Sequence, residues 1–223
     1  MRKEHMQLDV PLFRQTTDFT CGACATLMVL KYFDRKVRFS VRNEFLIWSK
    51  TAALPFKFSS PYRIAAFFVK ERFETRLIME HRASTGKVPR ECCDVDSSEQ
   101  RLFLRFLNAH NAILKKKIAS VTLGRKPTIS DVKTALIGCT PVIVLIDSYY
   151  TDKIRGAQNL RHLPHWIVVT GYEGDLFYVN DSTCETRLKP GDTILESRLL
   201  RKAMDMQRVE WPPALITVGP RVR

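Results

Sequence analysis

Gln15-Thr16-Thr17-Asp18-Phe19-Thr20-Cys21-Gly22 brings a glutamine, a cysteine and the start of an apolar helical pattern into one short run. From Cys21 onward Ala25, Met28, Val29 and Tyr32, with Leu27 and Leu30 alongside, recur at spacings of three and four, which predicts a buried or amphipathic helix over 21–34. Cys21 then stands at that helix's N-terminus. Backbone N–H groups and the positive end of the helix dipole favour an anion there, so a thiolate at Cys21 is stabilised. Gln15, six residues earlier, is close enough for its amide to return beside the sulfur as a hydrogen-bond donor.

A thiolate and a donor need a base, and one stands far downstream. His165 opens the run His165-Trp166-Ile167-Val168-Val169-Thr170-Gly171-Tyr172, whose β-branched core and closing glycine read as a strand. Glu173-Gly174 reads as the turn into a second strand over 175–180, and Asp181 ends it. In an antiparallel hairpin the beginning of one strand faces the end of the next, so His165 and Asp181 should be neighbours. A carboxylate so placed holds an imidazole in one tautomer and stabilises its charged form. His162 is a rival base, but only His165 starts the apolar strand. Asn180 is the substitute orienter if the register is off by one, and Asn180-Asp181-Ser182 is also turn chemistry.

The order Gln15, Cys21, His165, Asp181 and the texts QTTDFTCG and PHWIVVTGYEGDLFYVNDS resemble the papain-fold cysteine peptidases related to the double-glycine leader peptidases that process bacteriocins. Stand-alone members carrying a QTTDFTCGPA motif are among the proteins it resembles. The resemblance covers the N-terminal third and roughly residues 130–185. It implies Cys21 as nucleophile, His165 as general base and then acid, Asp181 as orienter, and Gln15 with the Cys21 backbone N–H as oxyanion hole. It also implies an α+β papain-like fold, a helix carrying the thiol packed on an antiparallel sheet carrying His and Asp. The activity implied is that of a cysteine peptidase or amidohydrolase on a peptide, leader maturation included. An amine acceptor would make the same residues a transferase or ligase. Two departures stand out. Ala23-Cys24 replaces the Pro-Ala of those relatives, and no transporter domain accompanies the site.

Composition fits a soluble enzyme. The 223 residues, 45% of them hydrophobic, can bury a full core as one domain over 1–223, with 82–127 a loop plus helical insertion. No apolar run reaches transmembrane length, and residues 1–13 carry charges without a signal-peptide core, so no membrane insertion and a cytoplasmic location are expected. The six cysteines form no disulfide scaffold and read as mostly reduced. Cys21-Gly22-Ala23-Cys24 is also a CxxC, but a thioredoxin-type reading leaves Gln15, His165 and Asp181 without a role. Cys92-Cys93 lacks a second ligand pair, so no metal is expected, and nothing calls for a cofactor.

A net charge of +13 needs an acidic partner or a solvated basic surface. The clusters at 115–117, 125–126 and 198–202 lack interleaved stacking aromatics, which argues against nucleic acid. A solvated face on the helix around 98–117 is the plain reading, and recognition of an acidic peptide substrate is the one that suits an enzyme. A non-catalytic basic binding module for nucleic acid or an acidic partner is the alternative of another class.

Other elements follow from local signals. Helices are expected at 41–50 and at 60–70, where Ser60-Pro61 supplies a cap and a first-turn proline. A strand is expected near 74–80, a loop over 82–97, and a helix after Asp96-Ser97-Ser98-Glu99. A short helix over 128–137 closed by Gly138 and a buried strand over 141–147 complete the reading.

Overall fold

The computed structural model describes residues 5–80, 96–118, 120–183, 193–206 and 211–222. Cys92, Cys93, Cys184 and most of the expected 82–97 loop lie outside them. Fifteen elements run in the order β1 (His5–Gln7), α1 (Cys21–Phe33), α2 (Val41–Thr51), α3 (Pro61–Lys70), β2 (Phe73–Met79), α4 (Ser97–Lys117), β3 (Ser120–Leu123), α5 (Ile129–Ile137), β4 (Val142–Asp147), α6 (Ser148–Ile154), β5 (Pro164–Glu173), β6 (Leu176–Asn180), β7 (Thr193–Glu196), α7 (Ser197–Met204) and β8 (Ala214–Arg221).

The strands form one sheet in the order β3-β2-β8-β4-β5-β6-β7, and β1 pairs with the far end of β5. Every residue of β4 is buried, as are Trp166 to Tyr172 of β5. Since successive strand residues point to opposite faces, both faces of the sheet's centre are covered. The helices supply that cover in two groups: α1 packs on β5 and leads through α2 and α3 to α4, while α5, α6 and α7 pack with one another and on β4 to β7. The fold is α+β, a thiol-bearing helix on a sheet bearing His and Asp.

Helix α1 is the centrepiece. Cys21 through Leu30 are all buried, so it has no solvent face until its last turn and reads as nearly continuous apolar sequence. Other helices carry the expected end signals. Asp96 accepts from the Ser98 and Glu99 N–H groups at the start of α4, and Thr128 and Asp131 form a reciprocal capping box on α5. Ser60 takes the N-cap position of α3 and Pro61 its first turn, but the Ser60 side chain makes no capping bond. The α4 basic residues Arg101, Arg105 and Lys115 to Lys117 are exposed, while Leu107 packs on Ala53 and Phe56 in a small satellite core.

Three features depart from expectation. The sheet is not wholly antiparallel: β3 lies parallel to β2, joined by a crossover that contains α4. That strand falls inside the stretch expected to hold only loop and helix. Strand β8, from the C-terminal segment, fills the sheet's middle between β2 and β4. The β5–β6 turn is Gly174-Asp175, one residue later than expected, with Gly174 at φ +55°, a conformation that favours glycine.

Candidate active site

The hairpin β5–β6 sets the first contact. Val168 pairs with Asn180, so the start of β5 lies opposite the residues just after β6. His165 Nε2 donates to Asp181 Oδ1 at 2.7 Å, and the Thr183 N–H donates to the same oxygen at 3.1 Å. The Cys21 side chain also hydrogen-bonds to the His165 imidazole. Asp181 is fully enclosed, the His165 side chain is 13% exposed, and Cys21 is 4% exposed.

Burial alone would depress the His165 pKa, but the charge and hydrogen bond of Asp181, with Cys21 adding to them, raise it well above the ordinary histidine value. Burial would likewise raise the Asp181 pKa. His165 and Arg155 overcome that and hold the carboxyl well below the usual range. At neutral pH the geometry therefore favours an imidazolium between Cys21 and a carboxylate.

Arg155 is the member of this site that sequence reasoning did not single out. Its Nη2 forms an ion pair with Asp181 Oδ2, and its side chain is 7% exposed. It arrives there because α6 follows β4 at the end where β4 pairs with the start of β5, Ile146 opposite His165. Asp152, one helical turn earlier, stands 3.9 Å from Arg155 Nη1, and burial raises its carboxyl pKa. Among 36 lysines and arginines, a buried arginine carries no local signature.

Gln15 reaches the same place from the N-terminus. Strand β1 runs antiparallel to the end of β5, and the chain continues beside the hairpin: Leu8 N donates to Thr170 O, and Asn180 Nδ2 donates to Val10 O. Gln15 N then donates to Ser182 O at 2.8 Å, and Ser182 Oγ donates to Gln15 Oε1 at 2.8 Å. Gln15 Nε2 donates to Thr17 O at 2.9 Å, so the amide is fixed at both ends. Asn180 is thus a brace for the N-terminal segment rather than an orienter. His162, the rival base, pairs through Nδ1 with Asp147 Oδ2 at 2.7 Å and stacks on Tyr149, closing the base of the loop that carries Arg155.

Cys21 is seated by a close approach of backbone to strand. A Cβ on Gly22 would stand 2.5 Å from Ser59 Cβ and 2.9 Å from Trp166 Cδ1, and Trp166 Nε1 donates to Ser59 O at 3.0 Å. Only glycine lets the first turn of α1 press on β5 beside His165. Gly22→Ala is expected to cost about 1–3 kcal/mol by overpacking and to slow alkylation of Cys21, measured by urea denaturation and peptide mass mapping.

Residues 10–200 match the model of the Peptidase_C39 like family. The chain belongs to that family. No curated protein matches this C39-like cysteine peptidase. Solved structures similar to it include a double-glycine motif protease from an AMS/PCAT transporter in complex with its leader peptide, at 14% identity, covering 96% of this chain and 94% of that one, TM-score 0.49. A C39-like peptidase from Bacillus anthracis aligns at 14% identity over 98% of this chain and 99% of that one, TM-score 0.47. The peptidase domain of Streptococcus ComA, a bifunctional ABC transporter of a quorum-sensing pathway, aligns at 15% identity over 95% and 99%, TM-score 0.47. The assignment of this C39-like peptidase rests on the family model. No helix of its described residues is long and apolar enough to cross a membrane, and no group of His, Cys, Asp and Glu among them could hold a metal ion. Cys21 and Cys139 carry free thiols.

Proposed function

We propose that this C39-like peptidase cleaves a peptide through a thioester formed on Cys21, with His165, Asp181 and Gln15 in the roles their positions suggest. The observation that carries the reading is the His165–Asp181 pair at 2.7 Å with Cys21 hydrogen-bonded to the same imidazole. The Cys21 thiolate attacks the scissile carbonyl carbon, and the oxyanion is received by the Cys21 N–H and the Gln15 amide. The C–N bond then breaks as His165 gives its proton to the leaving amine. Water, deprotonated by His165, attacks the thioester and frees Cys21. Asp181 and Arg155 remain charged throughout and keep the imidazole in one orientation.

An acidic peptide suits a chain of net charge +13, and the leader of a small precursor peptide is the substrate form we favour. A cytoplasmic setting is consistent with the free thiols.

Intact-protein mass spectrometry of acid-quenched mixtures tests the chemistry. With an activated acyl substrate such as N-acetylglycine p-nitrophenyl ester, an acyl adduct on Cys21 that hydroxylamine discharges is the expected result. Turnover with no adduct at any quench time, or an adduct that persists in Cys21→Ala, would contradict it.

A further inference from the structure

Glu44, on α2, is a fully buried carboxylate, and each hydrogen bond it accepts from a side chain or from the preceding loop comes from the segment between Gln15 and Cys21. Oε1 accepts from Thr16 N at 2.9 Å and from Thr20 Oγ1, and Oε2 accepts from Thr16 Oγ1 at 3.0 Å. Thr16 directly follows Gln15, and Thr20 directly precedes Cys21. One carboxylate therefore grips the residues adjacent to both groups proposed to receive the oxyanion.

The grip has a second consequence at the helix end. Thr20 is the N-cap residue of α1, and a threonine there ordinarily turns its hydroxyl oxygen onto a first-turn N–H. Thr20 makes no such bond. Its proton goes to Glu44, which leaves its oxygen to accept from Thr17 Oγ1, 3.0 Å away. With the hydroxyl held off, the first-turn N–H groups of α1 stay free to donate to a substrate oxyanion formed beside Cys21. The loop does not need Glu44 merely to stay on the fold, because Phe19 packs on Trp48 and Phe45 at ring distances of 5.2 and 6.4 Å.

We infer that Glu44 is a positioning residue for acyl transfer: it fixes Gln15 and Cys21 relative to each other and keeps the N-terminus of α1 uncapped for the oxyanion. The inference rests on the thioester reading above. It separates two reactions of the same thiol. Ester hydrolysis develops an oxyanion, whereas alkylation by iodoacetamide expels iodide and develops none.

The test compares the two in wild type, Glu44→Ala and Glu44→Asp, with Gln15→Ala as reference. For N-acetylglycine p-nitrophenyl ester, Glu44→Ala is expected to lower kcat about 100-fold, the scale of losing one oxyanion donor, with KM changed less than about threefold. Its iodoacetamide rate at Cys21 should stay within about threefold of wild type, and adding Gln15→Ala should cost little more than either change alone. Glu44→Asp keeps a carboxyl group but draws it back by one methylene. It should lose roughly tenfold in kcat and serves if the alanine variant does not fold. Unchanged kcat in Glu44→Asp, or a parallel fall in hydrolysis and alkylation, would overturn the inference. Wild-type kcat in Gln15→Ala would instead remove the oxyanion assignment itself, and the role of Glu44 with it.

Discussion

Asp181→Ala is expected to lower the free energy of unfolding by about 3–5 kcal/mol, the cost of leaving a buried charge without its partner, and to abolish peptidase activity. Two cations lean on this carboxylate, His165 at 2.7 Å and Arg155 with a side chain 7% exposed. Thr193 Oγ1, 3.3 Å from Arg155 Nη2, and Asp152 remain near Arg155 and soften the loss. The double variant Asp181→Ala/Arg155→Met should recover part of the stability but none of the activity. The pH dependence has a defined sign. Asp181 titrates below its unfolded value of about 3.9, so its contribution is present above that pH and is lost as pH falls through the depressed folded value. His165 titrates above its unfolded value of about 6.5, so its contribution is full below that pH and is lost as pH rises through the raised folded value. The stability gap between wild type and Asp181→Ala should therefore be widest between about pH 4 and 6.5 and narrow on both sides. Urea denaturation across that range checks it.

Cys21→Ala is expected to reduce peptide hydrolysis to background while leaving the unfolding free energy within about 1 kcal/mol of wild type. The thiol is small, and Ala23 to Leu30 hold α1 in place without it. His165 loses one hydrogen bond but keeps Asp181, the stronger partner. Activity is read by mass spectrometry of peptide products and stability by urea denaturation. A folded Cys21→Ala protein that still cleaves peptide would remove the nucleophile from the proposed mechanism.

The parts of this site legible from the sequence are those whose signals are local. Cys21 could be placed because an apolar period of three and four begins at it. His165 and Asp181 could be paired because a hairpin with a Gly174 turn leaves only a narrow choice of register. The helix near 60–70 carried its own start signal in Ser60-Pro61, and the structure places it at Pro61–Lys70. What escaped depends on partners distant in sequence. Strand β3 is four residues long and none of them is fully buried, so it exists through its pairing with β2 rather than through its own pattern. Strand β8 gains its central place from β2 and β4, more than sixty residues away. Arg155 is a charged residue in an unremarkable local context, and its burial against Asp181 is something no window of sequence displays.

The pH dependence of iodoacetamide labelling at Cys21, read by peptide mass mapping in wild type and His165→Ala, tests the activated thiol most directly. In wild type Cys21 should already react rapidly near pH 6, where an ordinary thiol with a pKa of about 8.5 is almost wholly protonated. His165→Ala should slow it there by about 100-fold and return its profile to that of an ordinary cysteine. If Cys21 labels no faster than Cys139 at that pH and is indifferent to His165, the pair does not activate the thiol and the peptidase mechanism proposed for this site is wrong.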